Sequence, residues 1–335
     1  MGNHAAVMTG LGKIEIEDRP VPAPSPRQAV VRIEAVGVCG SDTAYLKVGR
    51  IGDYVVDGLL ILGHEIAGQV ETVGSEVTNV KPGDRVVIEP GTPCRDCVEC
   101  LAGRYHLCPG LQYLATPPYD GALLQLLLID SRNLFPIPDE MSYEQGALLE
   151  PLSVGIWACH RAGLNAGDQV LVTGASPMGL VSAAAARALG AGSVTVTDVS
   201  IFRLGVAKSM GFATEVSQAP SEQTFDVLIE CSGAPGVLAD SLGRLRPAGR
   251  AAVVGISKEK SIALSLLQLD PQELTISLAN RYAHTWPIAI ELVACGRVEL
   301  NQLITHHFRL DQTEEALTLG NHVSDSVKAI NHPQQ

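Results

Sequence analysis

Four of the eight cysteines lie in one short segment, residues 89–110, and their spacing favours a metal site. Cys94, Cys97, Cys100 and Cys108 follow the pattern C-x2-C-x2-C-x7-C. Four thiolates so close in a chain can enclose a tetrahedral zinc ion, which then has no open position for a substrate. A disulfide or a thioredoxin-like redox pair fits less well, because the prolines and glycines around these cysteines indicate a loop. We therefore predict a structural zinc site here, with any catalytic chemistry elsewhere.

A second set of possible metal ligands is scattered along the chain. Cys39 lies in GVCGSDTAY at a predicted strand end, His64 and Glu65 lie in LGHEIAG, and Glu150 lies in ALLEPLSVG. One thiol, one imidazole and two carboxylates can form a zinc site that keeps an open position. Such a site activates an alcohol for hydride transfer to a nicotinamide. Spacing alone does not decide between this site and the simpler alternative of a buried cysteine and a hydrogen-bonded His–Glu pair.

The segment VLVTGASPMG follows a predicted strand and opens a predicted helix, as a dinucleotide-binding turn does. Gly174 makes the tight turn and Gly179 allows close helix–strand packing, but Ser176 replaces the second glycine of G-x-G-x-x-G. Asp198 ends the next predicted strand, where an acid binds the adenosine ribose and favours NAD over NADP. Arg203 lies nearby and weakens that preference. The alternative is an alanine-rich βα unit with an incidental glycine turn.

The order of predicted elements indicates an α/β protein with two domains, as a length of 335 residues also favours. Residues 1–90 are rich in strands. From residue 168 onward, strands and helices alternate, which predicts a doubly wound parallel sheet. Its strands are predicted in 168–173, 193–198, 225–233, 249–255 and 272–282.

Charge and hydropathy restrict the partners. The net charge of −12 and the lack of a Lys/Arg run disfavour nucleic acid and anionic membrane surfaces. No run of about 18 apolar residues predicts a membrane span. The first residues lack the basic and then apolar pattern of a secretory signal. We therefore expect a cytoplasmic protein that acts on a small molecule.

Several motifs, taken in order, resemble those of the zinc-containing medium-chain dehydrogenases. They are GHEIAG, KPGDRV, the four-cysteine loop and the nucleotide fingerprint, and the resemblance covers nearly the whole chain. ATPPYDG, EPLSVG and RYAHTWP together resemble the polyol dehydrogenases of the sorbitol type within that family. The resemblance implies a GroES-like catalytic domain (1–152 and 284–335), a Rossmann NAD-binding domain (153–283) and a homotetramer.

The resemblance also implies roles for individual residues. Cys39, His64 and Glu65 would bind the catalytic zinc, with either a water or a direct bond between zinc and Glu150, and Ser41 would begin the proton path. The residues implied for substrate hydroxyls are Tyr45, Thr116, Arg281 and Tyr282. The residues implied for NAD are Gly174, Ser176, Pro177, Met178, Gly179, Asp198, Arg203 and Gly255. Alternatively, Arg281 and Tyr282 cap a strand end or line a subunit interface.

The sequence departs from the family pattern at two further places. Ala44 stands where many relatives have a histidine, so a water and Glu150 would have to pass the proton on. The segment 211–227 is short, which predicts a Rossmann helix that is missing or reduced to a loop.

Other functions remain open at this point. They are a zinc-dependent dehydrogenase acting on a simple alcohol, threonine, a cyclitol or a sugar phosphate, and a catalytically silent NAD-binding protein. The presence of Cys39 and His64 argues against silence and against a zinc-free quinone-reductase-like enzyme.

Overall fold

The computed structural model describes residues 2–217, 222–257, 259 and 261–335. The chain divides into two compact units, the first formed by Met1–Glu150, Trp286–Ala294 and Ile304–Gln335 and the second by Pro151–Thr285 and Cys295–Leu303. The sequence prediction assigned 295–303 to the first domain. In the structure this segment lies in the second unit, where the Arg297 guanidinium donates to the Ala188 carbonyl at 2.5 Å.

The first unit is rich in strands, as predicted. Elements are numbered along the whole chain. The strands of this unit are β1 (Asn3–Gly10), β2 (Lys13–Arg19), β3 (Gln28–Gly37), β4 (Arg50–Ile51), β5 (Tyr54–Val55), β6 (Leu60–Ile61), β7 (Glu65–Val73), β8 (Arg85–Ile88), β9 (Gly91–Thr92), β10 (Gln112–Tyr113), β11 (Leu126–Asp130), β12 (Leu134–Pro136), β19 (Ile304–Arg309) and β20 (Lys328–His332). Its helices are α1 (Gly40–Val48), α2 (Val98–Leu101), α3 (Tyr143–Ala147), α9 (Trp286–Ala294) and α10 (Thr313–Thr318).

A seven-stranded sheet forms the centre of this unit. Its strand order is β12-β8-β7-β3-β20-β19, and β11 also pairs with β3. Strands β3 and β7 are antiparallel, with Gly37 opposite Glu65, and β20 pairs with the end of β3. Branched aliphatic residues dominate these strands because they pack well on a pleated surface. Val31, Ile33 and Ile66 are completely buried in the core beside this sheet.

The second unit contains a parallel sheet of six strands. These are β13 (Gln169–Thr173), β14 (Ser193–Asp198), β15 (Ala213–Val216), β16 (Phe225–Glu230), β17 (Leu245–Val253) and β18 (Thr275–Leu278). The helices are α4 (Leu149–Arg161), whose first two residues belong to the first unit, α5 (Pro177–Ala188), α6 (Ile201–Ser209), α7 (Val237–Leu242) and α8 (Leu266–Leu269).

The strand order in this sheet is β15-β14-β13-β16-β17-β18, and every pair is parallel. This is the doubly wound order in which the chain reverses direction between its first and fourth strands. Ligands of such sheets bind at the carboxyl ends of the strands flanking that switch point. Here those strands are β13 and β16, so the predicted α/β class is confirmed and the expected nucleotide turn follows β13.

The shortened segment 211–227 falls only partly within the described residues. Strand β15 ends at Val216, and residues 222–224 before β16 are neither helix nor strand. The prediction of a lost helix also concerns residues 218–221, which lie outside the described part of the chain.

Within the ranges that the structure describes, no helix has the length and apolar character needed to cross a bilayer.

Candidate functional site

The scattered metal-ligand candidates Cys39, His64 and Glu65 come together at one end of the central sheet. Cys39 follows β3 as the N-terminal cap of α1, and His64 and Glu65 lie where β7 begins. Since β3 and β7 are antiparallel, the end of one adjoins the start of the other. One ligand atom from each of the three side chains lies within 4.8 Å of the other two.

Asp42 supports this cluster and was missed by the sequence analysis. Its side chain is 1% exposed, and its carboxylate accepts the backbone N–H groups of Cys39 and Gly63, both at 3.1 Å. Its Oδ1 also lies 3.5 Å from His64 Nδ1, which leaves Nε2 as the nitrogen available to a metal. Burial acts to raise the pKa of Asp42, but His64 and these N–H groups hold it below its usual range. Metal-binding histidines usually have such a carboxylate partner. The sequence signal that could have identified Asp42 is therefore its position as an acid three residues after Cys39.

Glu65 forms a buried ion pair with Lys328, a second residue that the sequence analysis missed. The Lys328 ammonium lies 2.6 Å from Oε1 and 2.5 Å from Oε2 of Glu65, and it also donates to the Val38 carbonyl at 2.8 Å. The two side chains are 2% and 1% exposed. A side chain at Gly37 would collide with this carboxylate, since its Cβ would lie 2.1 Å from Glu65 Oε2. Glu65 is therefore held in place by the sheet before any metal binds.

The donor set of this cluster fits a zinc ion. A thiol, an imidazole and a carboxylate are three common zinc ligands, and three protein ligands leave the fourth position of a tetrahedral ion for substrate. His64 and Glu65 are buried, whereas Cys39 is half-buried. Burial alone would lower the pKa of His64, but Asp42 and Cys39 raise it well above its usual value, so the local potential favours a cation.

Glu150 is not a member of this three-residue cluster. It is buried at the start of α4, where its Oε1 accepts the phenolic O–H of Tyr113 at 2.8 Å. The Tyr113 ring lies 5.9 Å from the His64 ring, so the glutamate is held near the cluster by a tyrosine that the sequence analysis did not identify. A tyrosine in a short strand carries no distinctive spacing signal.

Three further predicted residues lie in the first unit. Ser41 is half-buried in the first turn of α1, immediately after the cap residue Cys39 and Gly40. Tyr45 lies one turn later on the same helix and is buried. Thr116 is half-buried in the turn after β10, where its N–H donates to the Tyr113 carbonyl at 3.0 Å.

The four-cysteine loop brings its sulfur atoms together as the spacing predicts. Each Sγ of Cys94, Cys97, Cys100 and Cys108 lies within 4.8 Å of the other three, and none forms a disulfide. The Cys94 sulfur is 3.4 Å from that of Cys108 and 3.9 Å from that of Cys100. Zinc–sulfur bonds of about 2.3 Å in a tetrahedron imply sulfur–sulfur separations of about 3.8 Å. The loop therefore fits a structural zinc ion.

In the second unit, the turn after β13 has the geometry of a nucleotide-binding loop. Gly174 has φ of +87°, and a Cβ on Gly179 would lie 1.7 Å from the Gly174 carbonyl oxygen. Glycine is therefore required at both positions. Ser176 is the N-terminal cap of α5, and Pro177 and Met178 form its first turn. The exposed N–H groups of such a helix start favour a phosphate.

Acidic residues at the ends of two neighbouring strands hold the turn after β13 and the loop after β16 in place. Asp198, at the end of β14, accepts the N–H groups of Ala175 at 2.6 Å and Ser200 at 2.7 Å. Glu230, at the end of β16 and missed by the sequence analysis, accepts the N–H groups of Ser232 at 2.8 Å and Gly233 at 3.0 Å.

The remaining predicted residues of this unit lie near strand ends. Gly255 follows β17, and a Cβ there would lie 2.4 Å from the Gly233 nitrogen. Arg203 is half-buried in the first turn of α6. Arg281 and Tyr282 follow β18; Arg281 is half-buried with φ of +52°, and Tyr282 is buried.

Comparisons with known proteins agree with this geometry. Residues 25–139 match the family model "Alcohol dehydrogenase GroES-like domain", and residues 177–295 match "Zinc-binding dehydrogenase". The chain is 42% identical to a sorbitol dehydrogenase of Bacillus subtilis over 93% of its length and 92% of the relative. It is 39% identical to human sorbitol dehydrogenase over 94% of its length and 91% of the relative.

Solved structures give the same result. An oxidoreductase/dehydrogenase of unknown specificity from Escherichia coli superposes with a TM-score of 0.93 and 30% identity, covering 99% of both chains. This match includes residues of both units, as do the matches to the sorbitol dehydrogenases. The chain thus belongs to the zinc-containing medium-chain dehydrogenases, and it is an oxidoreductase.

Proposed function

We propose that the protein is a zinc- and NAD-dependent polyol dehydrogenase that oxidises a secondary alcohol of an open-chain polyol to a ketone. The observation that carries this proposal is the convergence of Cys39, His64 and Glu65 within 4.8 Å at one end of the central sheet. The polyol substrate class is supported by relatives that are named sorbitol dehydrogenases and share 39–42% identity with this chain.

The first unit would hold the metal and move the proton. A zinc ion held by Cys39, His64 and Glu65 supplies Lewis-acid chemistry that makes an alcohol hydroxyl more acidic. Ser41, next to this cluster on α1, would accept the hydroxyl proton while its own hydroxyl proton passes on to a water molecule. Glu150 receives it through a water molecule, because no histidine is available at position 44.

The structural pairs around these groups keep them in place. The Tyr113 hydroxyl holds the Glu150 carboxylate at 2.8 Å, which fixes the position of the proton acceptor. Asp42 orients the His64 ring, so that one ring nitrogen faces the carboxylate and the other faces the cluster. Cys94, Cys97, Cys100 and Cys108 hold a second zinc ion that stabilises the loop and takes no part in the reaction.

The second unit would bind the dinucleotide at the switch point of its sheet. NAD supplies the hydride acceptor. The turn from Gly174 to Gly179, with Ser176, Pro177 and Met178 at the start of α5, binds the pyrophosphate through backbone N–H groups. Asp198 binds the adenosine ribose and disfavours a 2′-phosphate, Arg203 flanks it, and Gly255 leaves room at the neighbouring strand end.

A polyol presents a row of hydroxyl groups, so its site needs several hydrogen-bonding side chains. We assign this role to Tyr45, Thr116, Arg281 and Tyr282. Phenol, hydroxyl and guanidinium groups can donate to each hydroxyl oxygen, and the phenols and hydroxyl can also accept. A site built to bond a substrate hydroxyl discriminates strongly against an analogue that lacks it.

A substrate panel tests the proposal directly. NADH formation from NAD is followed at 340 nm, by the usual absorbance of the reduced nicotinamide, with sorbitol, xylitol, galactitol, mannitol, myo-inositol, threonine and simple secondary alcohols. The Cys39→Ser variant serves as the blank. We expect a clear preference for open-chain polyols. Turnover of only threonine, myo-inositol or a simple alcohol would retain the dehydrogenase chemistry and reject the assignment to open-chain polyols.

We also propose that the enzyme is a cytoplasmic homotetramer. The support is the family resemblance and the eight cysteines, none of which forms a disulfide, as suits a reducing compartment. Light scattering coupled to size-exclusion chromatography of the untagged protein tests the subunit number, with a mass of one or two chains as the contradicting result.

A further inference from the structure

A third cluster of metal-ligating side chains lies apart from both sites described above. It consists of Glu144, His307 and His332, and we name it the Glu–His–His cluster. We propose that it binds a divalent transition metal ion, zinc in particular, in addition to the catalytic and structural zinc ions. The proposal concerns a separate site and does not depend on the polyol assignment.

The fold of the first unit brings these three residues together from distant parts of the chain. His307 lies on β19 and His332 ends β20, and the parallel register places His307 opposite Ile330. His332 is two residues further along β20, so the two histidines are diagonal neighbours on one face of the sheet. Glu144 lies in the first turn of α3. The rings of His307 and His332 stack with their centroids 5.5 Å apart.

The three ligand atoms form a nearly equilateral triangle. His307 Nδ1 lies 3.2 Å from His332 Nε2 and 3.2 Å from Glu144 Oε1, and His332 Nε2 lies 3.3 Å from the same oxygen. Zinc–nitrogen and zinc–oxygen bonds of about 2.0 Å in a tetrahedron imply ligand separations of about 3.3 Å. The triangle therefore has the size of one face of a zinc coordination tetrahedron.

Hydrogen bonds alone cannot satisfy all three contacts. Each neutral imidazole has one donor and one acceptor nitrogen, and an ionised carboxylate only accepts. Suppose that His307 Nδ1 carries a proton. If His332 Nε2 accepts that proton in a hydrogen bond, its lone pair also faces the Glu144 oxygen. If His332 Nε2 carries a proton too, the two N–H groups face each other. One side of the triangle is unfavourable in either case. A cation at the centre would be attracted to all three atoms.

The surroundings leave room to complete the coordination. The His307 side chain is 53% exposed, whereas those of Glu144 and His332 are 31% and 14% exposed. A surface cavity of about 300 Å³ adjoins the cluster and is lined by both Glu144 and His332, together with Ser142 and Gln334. Water or a small ligand can therefore take the remaining position. Imidazole ligands favour zinc, copper and nickel over calcium or magnesium.

The test uses the untagged protein, loaded with two zinc ions per chain to fill the catalytic and structural sites and then freed of unbound ions. Zinc chloride is titrated into it by isothermal titration calorimetry, and bound zinc is counted by mass spectrometry of the metal. We expect one further zinc ion per chain. His307→Ala should weaken this binding by about tenfold or more, because one of three protein ligands is lost.

His306→Ala is the matched control. His306 is the adjacent histidine on β19, but its ring contacts Thr305 and stacks on Phe308 instead of joining the cluster. This variant should bind the further zinc ion as tightly as the unaltered protein. His332→Ala gives a second test of the cluster and should behave as His307→Ala does. The proposal is overturned if no further zinc binds, if both cluster variants retain it, or if the His306 variant loses it equally.

Discussion

Replacing Lys328 by methionine should show how strongly the buried Glu65 carboxylate depends on its ion-pair partner. Methionine has a similar length and apolar character but carries no charge, so the main change is the loss of the ammonium group. That group lies 2.5–2.6 Å from the Glu65 carboxylate oxygens. The variant therefore leaves a carboxylate that is 1% exposed without its cation.

The expected size of the effect follows from this burial. Breaking a buried ion pair by removing one partner costs about 3–5 kcal/mol, because the remaining charge cannot be solvated. A folding unit as large as the first unit loses roughly 2–4 °C of melting temperature for each kcal/mol by which its free energy of unfolding falls. The melting temperature of zinc-depleted Lys328→Met should therefore fall by about 6–20 °C. Bound zinc adds positive charge near Glu65, so the loss should be smaller in the zinc-loaded enzyme.

Differential scanning calorimetry of both metal states measures these shifts. Lys47→Met, at an exposed position of α1, is the control and should change stability by no more than about 0.5 kcal/mol. The double variant Lys328→Met/Glu65→Gln removes both charges and should recover much of the loss. A zinc-depleted Lys328→Met protein that melts within about 2 °C of the unaltered one would refute the reasoning.

Three further changes test other parts of the structure. Cys39→Ser should lower kcat by more than about 100-fold with an unchanged melting temperature, whereas Cys100→Ser should mainly lower the melting temperature. The two-site assignment would be contradicted if the two variants changed kcat and the melting temperature to the same extent. Burial raises the pKa of Glu89 from 4.5 to about 7, despite its hydrogen bond from Tyr105 and the nearby Arg95, with Glu150 also raising it. The folded state then keeps a proton between about pH 4.5 and 7 that the unfolded state releases, so the free energy of unfolding should fall by about 3 kcal/mol as pH rises through this window. Glu89→Gln should lack this fall, and parallel pH profiles of the two proteins would contradict it. Asp198→Ala should shift the ratio of kcat/KM for NAD over NADP by about tenfold toward NADP, and an unchanged ratio would show that this carboxylate does not select the cofactor.

Local patterns were sufficient to predict five of the six strands in the parallel sheet of the second unit, all except β15, and the cysteine loop. Gly174, Gly179 and Asp198 could be assigned because a strand, a glycine turn and a helix follow one another directly in the chain. The four loop cysteines lie within 15 positions, so their spacing alone restricts how far apart their sulfur atoms can be. In both cases the relevant contacts connect residues that are close in sequence.

The cluster of Cys39, His64 and Glu65 could be predicted from the residues only as a set of plausible ligand types. Its assembly depends on which strands pair and in what register. The pairing of Gly37 with Glu65 brings Cys39 beside His64, and a register shifted by one residue would turn Glu65 to the opposite face of the sheet. The family resemblance supplied this grouping in advance, but neither Asp42 nor Tyr113 was identified through it.

The sequence by itself therefore determined the order of elements, the α/β class, the nucleotide turn and the ligand types of both cysteine-containing sites. Tertiary structure alone decided that Lys328 neutralises Glu65 across 263 positions of the chain, and that Glu144 meets His307 and His332. The physical reason is that local conformation follows from neighbouring residues, whereas strand register is set by burial of the whole core. Buried charges and metal ligands that meet across the sheet become visible only once that register is known.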